Sequence, residues 1–295
     1  MTPGGGAAAR DHARGAGILP VLIMMASMAL IPLGDTAGKL LIQDHGFPAI
    51  GVAWFRFTLG FLVTLPFALR YHRHLYVLAD WRIYLRGVLI ALTVGTILTA
   101  LSTEDIGLVY GAFFIGPIVS YALAIFFLGE RTTVARTALL LLGFAGVFLV
   151  VKPGFGMSAG LAFGVLAGVF YGCFLASTRW LAGSGPAFLL LVVQLGVSAV
   201  LLFPLALLRW PAPETWPVGL LLLSGLASLT ANLLLIFAYR MMAGAALAPL
   251  VYFQLIAAAA YGYIVWDSVP DLVSIAGLVL LLVSGFGSLA LRRPA

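Results

Sequence analysis

The sequence predicts an all-α integral membrane protein, with ten transmembrane helices in two inverted five-helix repeats. Three observations carry this expectation. Of 295 residues, 63% are hydrophobic and only 9% charged, against about 25% charged in soluble domains. The chain divides into ten apolar runs close to the ~20 residues that cross a bilayer as a helix. The last five runs resemble the first five at a nearly constant offset. The runs are continuous rather than alternating, which excludes a lipid-facing barrel.

Residues 1–17, rich in Gly and Ala, are expected to be a disordered cytoplasmic tail. The first run, 18–41, is too long for the apolar core of a signal peptide and lacks a cleavage site, so it is expected to be retained. It carries Asp35 and Lys39 one turn apart. The second, 48–69, holds Arg56 inside and Pro66 near its end, and leads into the most basic loop, 70–86. The third, 83–103, places Thr93, Thr96 and Thr99 on one face. The fourth, 107–128, has Pro117 near its middle and ends at Glu130 and Arg131. The short fifth run is 134–151. The sixth, 158–180, has Gly160, Gly164, Gly168 and Gly172 at every fourth position, a flat ridge for close helix contact. The remaining runs are 186–208 with Gln194, 217–239 with Ser228 and Asn232, 244–266 with Tyr252 and Gln254, and 270–291, almost purely apolar. The fifth and tenth are free to face lipid or a second copy, which leaves a homodimer open.

The repeat joins residues 18–151 to 158–291. Arg56 meets Gln194 at an offset of 138, Gly107 meets Gly244 at 137, and Gly146 meets Gly285 at 139. Five helices per half is an odd number, so the second half enters the membrane from the opposite side. Such inverted repeats belong to secondary transporters with a site near the midplane.

Charge sets the orientation. With a cytoplasmic N-terminus, twelve arginines (10, 14, 70, 73, 82, 86, 131, 136, 179, 240, 292 and 293) fall inside, against Lys39, Lys152 and Arg209 outside. Both termini are therefore expected in the cytoplasm. The basic residues are scattered over loops, so the net charge of +6 does not point to nucleic acid. A single cysteine, Cys173, permits no disulfide within the chain, and the four histidines lie in the tail or loops. No hydrolase, metalloprotease or nucleotide-binding motif occurs. Neither enzyme activity, cofactor nor metal is expected.

Several stretches resemble the drug/metabolite transporter superfamily, EamA type: WFRFTLGFLVTLP, FFIGPIVSYALAIFFLGERTT, LLLLGFAGVFLV and AYRMMAGAALAPLVYFQLIAAAAYGYIVWDSVPDLVSIAG. In the second copy Trp266 and Asp267 replace the Gly-Glu that closes the first. The resemblance implies ten helices in two inverted repeats and transport of small metabolites. Within the superfamily the chain is similar to amino-acid exporters of the YddG type, which handle aromatic and other amino acids.

Helical rise places Pro117 and Gln254, equivalent in the two repeats, near the midplane, with Thr93, Tyr121, Tyr171 and Tyr252 at similar depth and Asn232 nearer the cytoplasm. Candidate substrate contacts are Thr93, Tyr110, Tyr171, Asn232, Tyr252 and Gln254, with Pro117 as a hinge. Tyrosine offers a ring face and a hydroxyl, and Gln and Asn offer donor and acceptor, which suits amino acids and related metabolites. Each has a plainer reading: interhelical bonding for Asn and Gln, packing for tyrosine, satisfied backbone carbonyls for the threonines. Asp35, Lys39 and Arg56 form the main charged group, in the outer third. They act either as an outer gate or as a structural ion pair, Asp35 pairing with Lys39 on one helix face while Lys39 reaches for the surface. A multidrug or lipid-precursor exporter, with Asp35 receiving a hydrophobic cation, and a membrane sensor without flux are the alternative functions.

Overall fold

In a bilayer every backbone N–H and C=O must be bonded within its own segment or a closed sheet, and helices occupy all the apolar runs. The computed structural model describes residues 5–128, 133–152, 157–208, 210–211, 216–242 and 247–290. The helices are α1 (Gly5–Gln43), α2 (Ala49–Ala68), α3 (Trp81–Leu101), α4 (Ile106–Phe113), α5 (Ile115–Leu128), α6 (Val134–Val151), α7 (Ala159–Trp180), α8 (Ala187–Leu207), α9 (Val218–Met241), α10 (Phe253–Trp266) and α11 (Leu272–Ala290). Two 3₁₀ segments, Leu69–Ala79 and Ala248–Tyr252, continue α2 and precede α10. α1 is helical already from Gly5, inside the stretch expected to be a disordered tail. The alanines at 7–9 and 13 are the strongest helix formers and extend it.

Among the described residues, seven helical spans are long and apolar enough to cross a membrane. Three shorter apolar helices, Thr137–Val151, Leu250–Trp266 and Leu272–Gly287, accompany them. Packing follows an internal symmetry. α1 lies on α9, as α7 lies on α3; α4 and α5 lie on α7, as the Ala248–Tyr252 segment and α10 lie on α1. The pairs α2–α8 and α6–α11 map onto themselves. Exchanging each element for its repeat counterpart therefore reproduces the contact pattern.

Small polar residues hold these pairs. Ser27 Oγ donates to Ala231 O at 2.7 Å and Ser224 Oγ to Gly34 O at 2.9 Å, tying α1 to α9. On α6 and α11, the two apolar helices expected to face lipid or a second copy, a β-carbon on Gly146 would sit 2.7 Å from Gly277 O, and the reverse also holds. These two helices pack on each other because glycine lets their backbones meet.

The same pair is tied beyond the membrane segment. Lys152 Nζ lies 2.5 Å from Asp271 Oδ2, and Asp271 also accepts from Ser274 Oγ at 2.8 Å and Val273 N at 3.0 Å, capping α11. The Lys152 ammonium and then the Ser274 hydroxyl hold the Asp271 carboxyl well below the usual carboxylate range. A depressed carboxyl contributes stability above its unfolded value, near pH 4, and loses it as pH falls through the folded value. The melting temperature of the native chain should exceed that of Asp271→Asn at pH 7. That gap should shrink as the pH is lowered past about 4, which a detergent melt at stepped pH reads directly.

Candidate functional site

Proline has no amide hydrogen, so Pro117 leaves the carbonyl of Phe113, four residues earlier, without a helical donor. The helix breaks there: α4 ends at Phe113, Phe114 has φ −69° and ψ 4°, and α5 starts at Ile115. The counterpart in the second repeat is interrupted at the same position. Val251, 137 residues after Phe114, lies in the 3₁₀ segment immediately before α10. Pro117 and Gln254 thus stand just inside two half-helices, α5 and α10.

The glycine ridge of α7 packs on this break. A β-carbon on Gly168 would sit 2.5 Å from Phe113 O and 2.6 Å from Ile115 Cγ2; one on Gly172 would sit 2.6 Å from Gly116 O. Gly168→Ala should therefore cost about 1–3 kcal/mol, as overpacking does. Gly95→Ala, on α3 with nothing within 4 Å of the new carbon, should be tolerated. Thermal unfolding of the two variants in detergent distinguishes them.

Aromatic side chains gather at the break. Phe113 packs on Tyr171 and Phe114 on Tyr252, each pair with centroids 4.8 Å apart and planes at 36°. Tyr171 stacks in turn on Phe174 at 6.0 Å. The layer runs from α7 through the break to the second repeat. Gln254, two residues beyond Tyr252, is 3% exposed.

Phe113 also touches Tyr110, centroids 6.0 Å apart, and Tyr110 begins the charged network. The Tyr110 hydroxyl donates to Asp35 Oδ2 at 2.6 Å, and Arg56 Nη1 donates to Asp35 Oδ1 at 2.6 Å. Arg56 Nη2 also reaches Ser228 Oγ, which itself donates to Ser224 O at 2.9 Å. Asp35, Arg56 and Tyr110 are all buried. With α9 joined through Ser228 and Arg56, helices α1, α2 and α4 meet at this one carboxylate. Both its oxygens are used, as a charge held away from water requires.

Lys39 does not pair with Asp35. It donates to Glu104 O at 2.7 Å and lies 4.5 Å from the centre of the Trp266 ring. Nor does it reach the surface, being 3% exposed. Arg56 and Tyr110 already use both Asp35 oxygens, and the carbonyl and indole face at the α3–α4 turn and α10 end satisfy the ammonium. Beside it, Trp210 packs on Phe47 and Trp54 at 5.4 Å each. This end of the bundle is closed by charge and by rings.

The other sequence-predicted residues divide. Tyr171, Tyr252, Gln254 and Pro117 flank the interruption. Tyr110 belongs to the charged network and is fully buried. Thr93 Oγ1 donates to Leu89 O at 2.8 Å, and Thr96 and Thr99 make the same bond to the preceding turn. Asn232 Nδ2 donates to Ser228 O at 2.8 Å within α9. Glu130 and Arg131 lie outside the described residues. Phe113 and Phe114 were not singled out in the sequence, and Trp266 was noted there only as a departure from the first copy's Gly-Glu. Position before the IGP triplet was the available signal for the two phenylalanines, whereas Trp266 matters only through a long-range contact.

At the opposite end, Arg86 Nε donates to Thr178 Oγ1 at 3.0 Å and its Nη1 to Leu190 O at 3.2 Å, joining α3, α7 and α8. A cavity of about 300 Å³ lies nearby between α2, α8 and α9, with Arg70 and Arg240 in its lining.

Comparison with known proteins gives this arrangement a context. Residues 16–152 match the EamA-like transporter family. The chain is 25% identical over 233 residues to the S-adenosylmethionine uptake transporter of Rickettsia bellii, covering 78% of this chain and 80% of that one. It is 31% identical over 164 residues to the pseudopaline exporter CntI of Pseudomonas aeruginosa, covering 54% of this chain and 57% of that one. A crystal structure at 17% identity shares the fold, with a TM-score of 0.57 over 92% of this chain and 95% of that one. Over its first half the chain is thus similar to the EamA-like transporter family, and both relatives are transporters.

Proposed function

We propose that the chain is a secondary transporter of the EamA/drug-metabolite type that carries amino acids, aromatic ones included, outward across a bacterial inner membrane, by alternating access between two inverted five-helix halves with both termini in the cytoplasm. The observation that carries the reading is the pair of equivalent helix interruptions at Phe114 and Val251, lined by Phe113, Phe114, Tyr171 and Tyr252. Discontinuous helices at a repeat interface are where secondary transporters bind substrate. The rings favour an apolar or aromatic side chain, and the Gln254 amide offers both donor and acceptor to the charged groups of an amino acid. Tyr171, Tyr252 and Gln254 are the contacts we assign, with Thr93 and Asn232 at the margin. Pro117 serves as the hinge, and Asp35, Arg56, Tyr110 and Lys39 as the outer seal.

S-adenosylmethionine, which the Rickettsia relative takes up, carries an α-amino acid group and supports the substrate class. One relative imports and another exports, so direction rests on this chain alone. The Asp35–Arg56 pair and the Trp210 cluster at one end support loading from the opposite, arginine-rich end. Asp35 already has two partners, so the hydrophobic-cation reading is not favoured. Counterflow of radiolabelled amino acids into liposomes holding the purified protein tests the proposal. We expect saturable flux for at least one aromatic amino acid, with Gln254→Ala raising KM. Absence of specific flux for every amino acid tried would overturn the substrate class.

A further inference from the structure

We propose that the cleft between the ends of α2 and α9 is a binding site for an anionic phospholipid of the adjacent leaflet. The cleft has a volume of about 300 Å³ and two chemically different parts. One is apolar: Val63, Phe67, Leu233 and Phe237 line it. Val63, Phe67 and Phe237 are 42%, 54% and 51% exposed although they sit on membrane-spanning helices, so this wall is continuous with the surface that faces hydrocarbon. The other part is cationic. Arg70 is the second residue of the 3₁₀ segment after α2, and Arg240 lies in the last turn of α9. Both are exposed and both line the cleft. Neither has a hydrogen-bond or ion-pair partner among the described residues, whereas Arg56, Arg82 and Arg86 do.

Two guanidinium groups converging at the mouth of an apolar groove match a phosphodiester headgroup with its acyl chains behind it. Guanidinium pairs with phosphate oxygens through parallel hydrogen bonds. The groove beneath accepts the first methylenes, and the exposed phenylalanines carry the chains on into the bilayer. Tyr71, stacked on Phe188 with centroids 5.7 Å apart, walls the headgroup end. A water-soluble anion would use the arginines but would gain nothing from a wall open to lipid. The cleft shares no lining residue with the interruption at Phe114, so the site does not depend on which metabolite is carried. Through α9 it shares a helix with Ser228, the hydroxyl that receives Arg56.

Binding of short-chain phosphatidylglycerol to the detergent-purified full chain, followed by native mass spectrometry, tests the site. Phosphatidylglycerol should bind and phosphatidylcholine of the same chain length should not compete. At roughly 1 kcal/mol per arginine, the double variant Arg70→Gln/Arg240→Gln should weaken binding about 30-fold. Arg73→Gln, in the same segment but outside the cleft lining, should leave it unchanged. Equal binding of both lipids by the native chain would overturn the proposal without any variant being needed. So would an equal loss with Arg73→Gln, or displacement of the lipid by glycerol phosphate at comparable concentration, which would make the ligand a free anion.

Discussion

Arg56→Met should destabilise the detergent-purified protein by about 3–5 kcal/mol, the usual cost of removing one partner from a buried ion pair. The substitution keeps an apolar side chain of similar length, so little of the loss comes from packing. What remains is the Asp35 carboxylate, buried, with only the Tyr110 hydroxyl donating to it at 2.6 Å. A hydroxyl gives the carboxylate one charge-assisted hydrogen bond but no opposite charge, so it does not replace a guanidinium. Asp35→Asn in the same background should restore much of the stability, because the charge that lacked a partner is then gone. Chemical unfolding of the native chain and the two variants decides it. A loss below about 1 kcal/mol for Arg56→Met, the range of exposed ion pairs, would mean that Asp35 is solvated or protonated in the native chain. The network also joins four helices, so its weakening should loosen the sealed end of the bundle before the rest.

Pro117→Ala should slow transport at least about tenfold, or about 1.4 kcal/mol on the limiting step, without loss of stability. Alanine returns the amide that Phe113 O lacks, and α4 and α5 can then join as one helix. Alanine has a higher helix propensity than proline and adds a donor without adding bulk, so the variant should melt no lower than the native chain. The effect on flux has a separate origin. A continuous helix moves Phe113 and Phe114 away from Tyr171 and Tyr252, and removes the junction at which the halves of the segment turn against Gly168 and Gly172. Initial rates in liposomes, measured beside the melting temperature, separate a transport defect from misfolding. Native flux in Pro117→Ala would show that the interruption has no part in the transport cycle.

The two predictions meet at Tyr110 and Phe113. Tyr110 holds Asp35 on one side and touches Phe113 on the other, and Phe113 packs on Tyr171. Occupancy at the break and closure at the charged end therefore share two adjacent side chains on α4. In the second repeat the counterparts of Asp35 and Arg56 at an offset of 138 are Cys173 and Gln194, neither charged. The two ends of the bundle are thus symmetric in backbone but not in the strength of what closes them.

Some of this was written in the sequence. Continuous apolar runs leave the backbone no choice but helix in a bilayer, so the helical segments and their order were legible. The near-constant repeat offset led to the symmetric packing, and Pro117 marked the break because the loss of an amide is a local event. The glycines of α7 gave close contact for the same reason, since absence of a side chain acts wherever a helix approaches. Partner choice was decided by the tertiary structure. Asp35 and Lys39 have the spacing of a pair on one helix, yet each bonds to residues brought from elsewhere: Arg56 and Tyr110 for one, Glu104 O and Trp266 for the other. A buried charge goes to the best partner within reach after packing, and sequence spacing measures reach only along one helix.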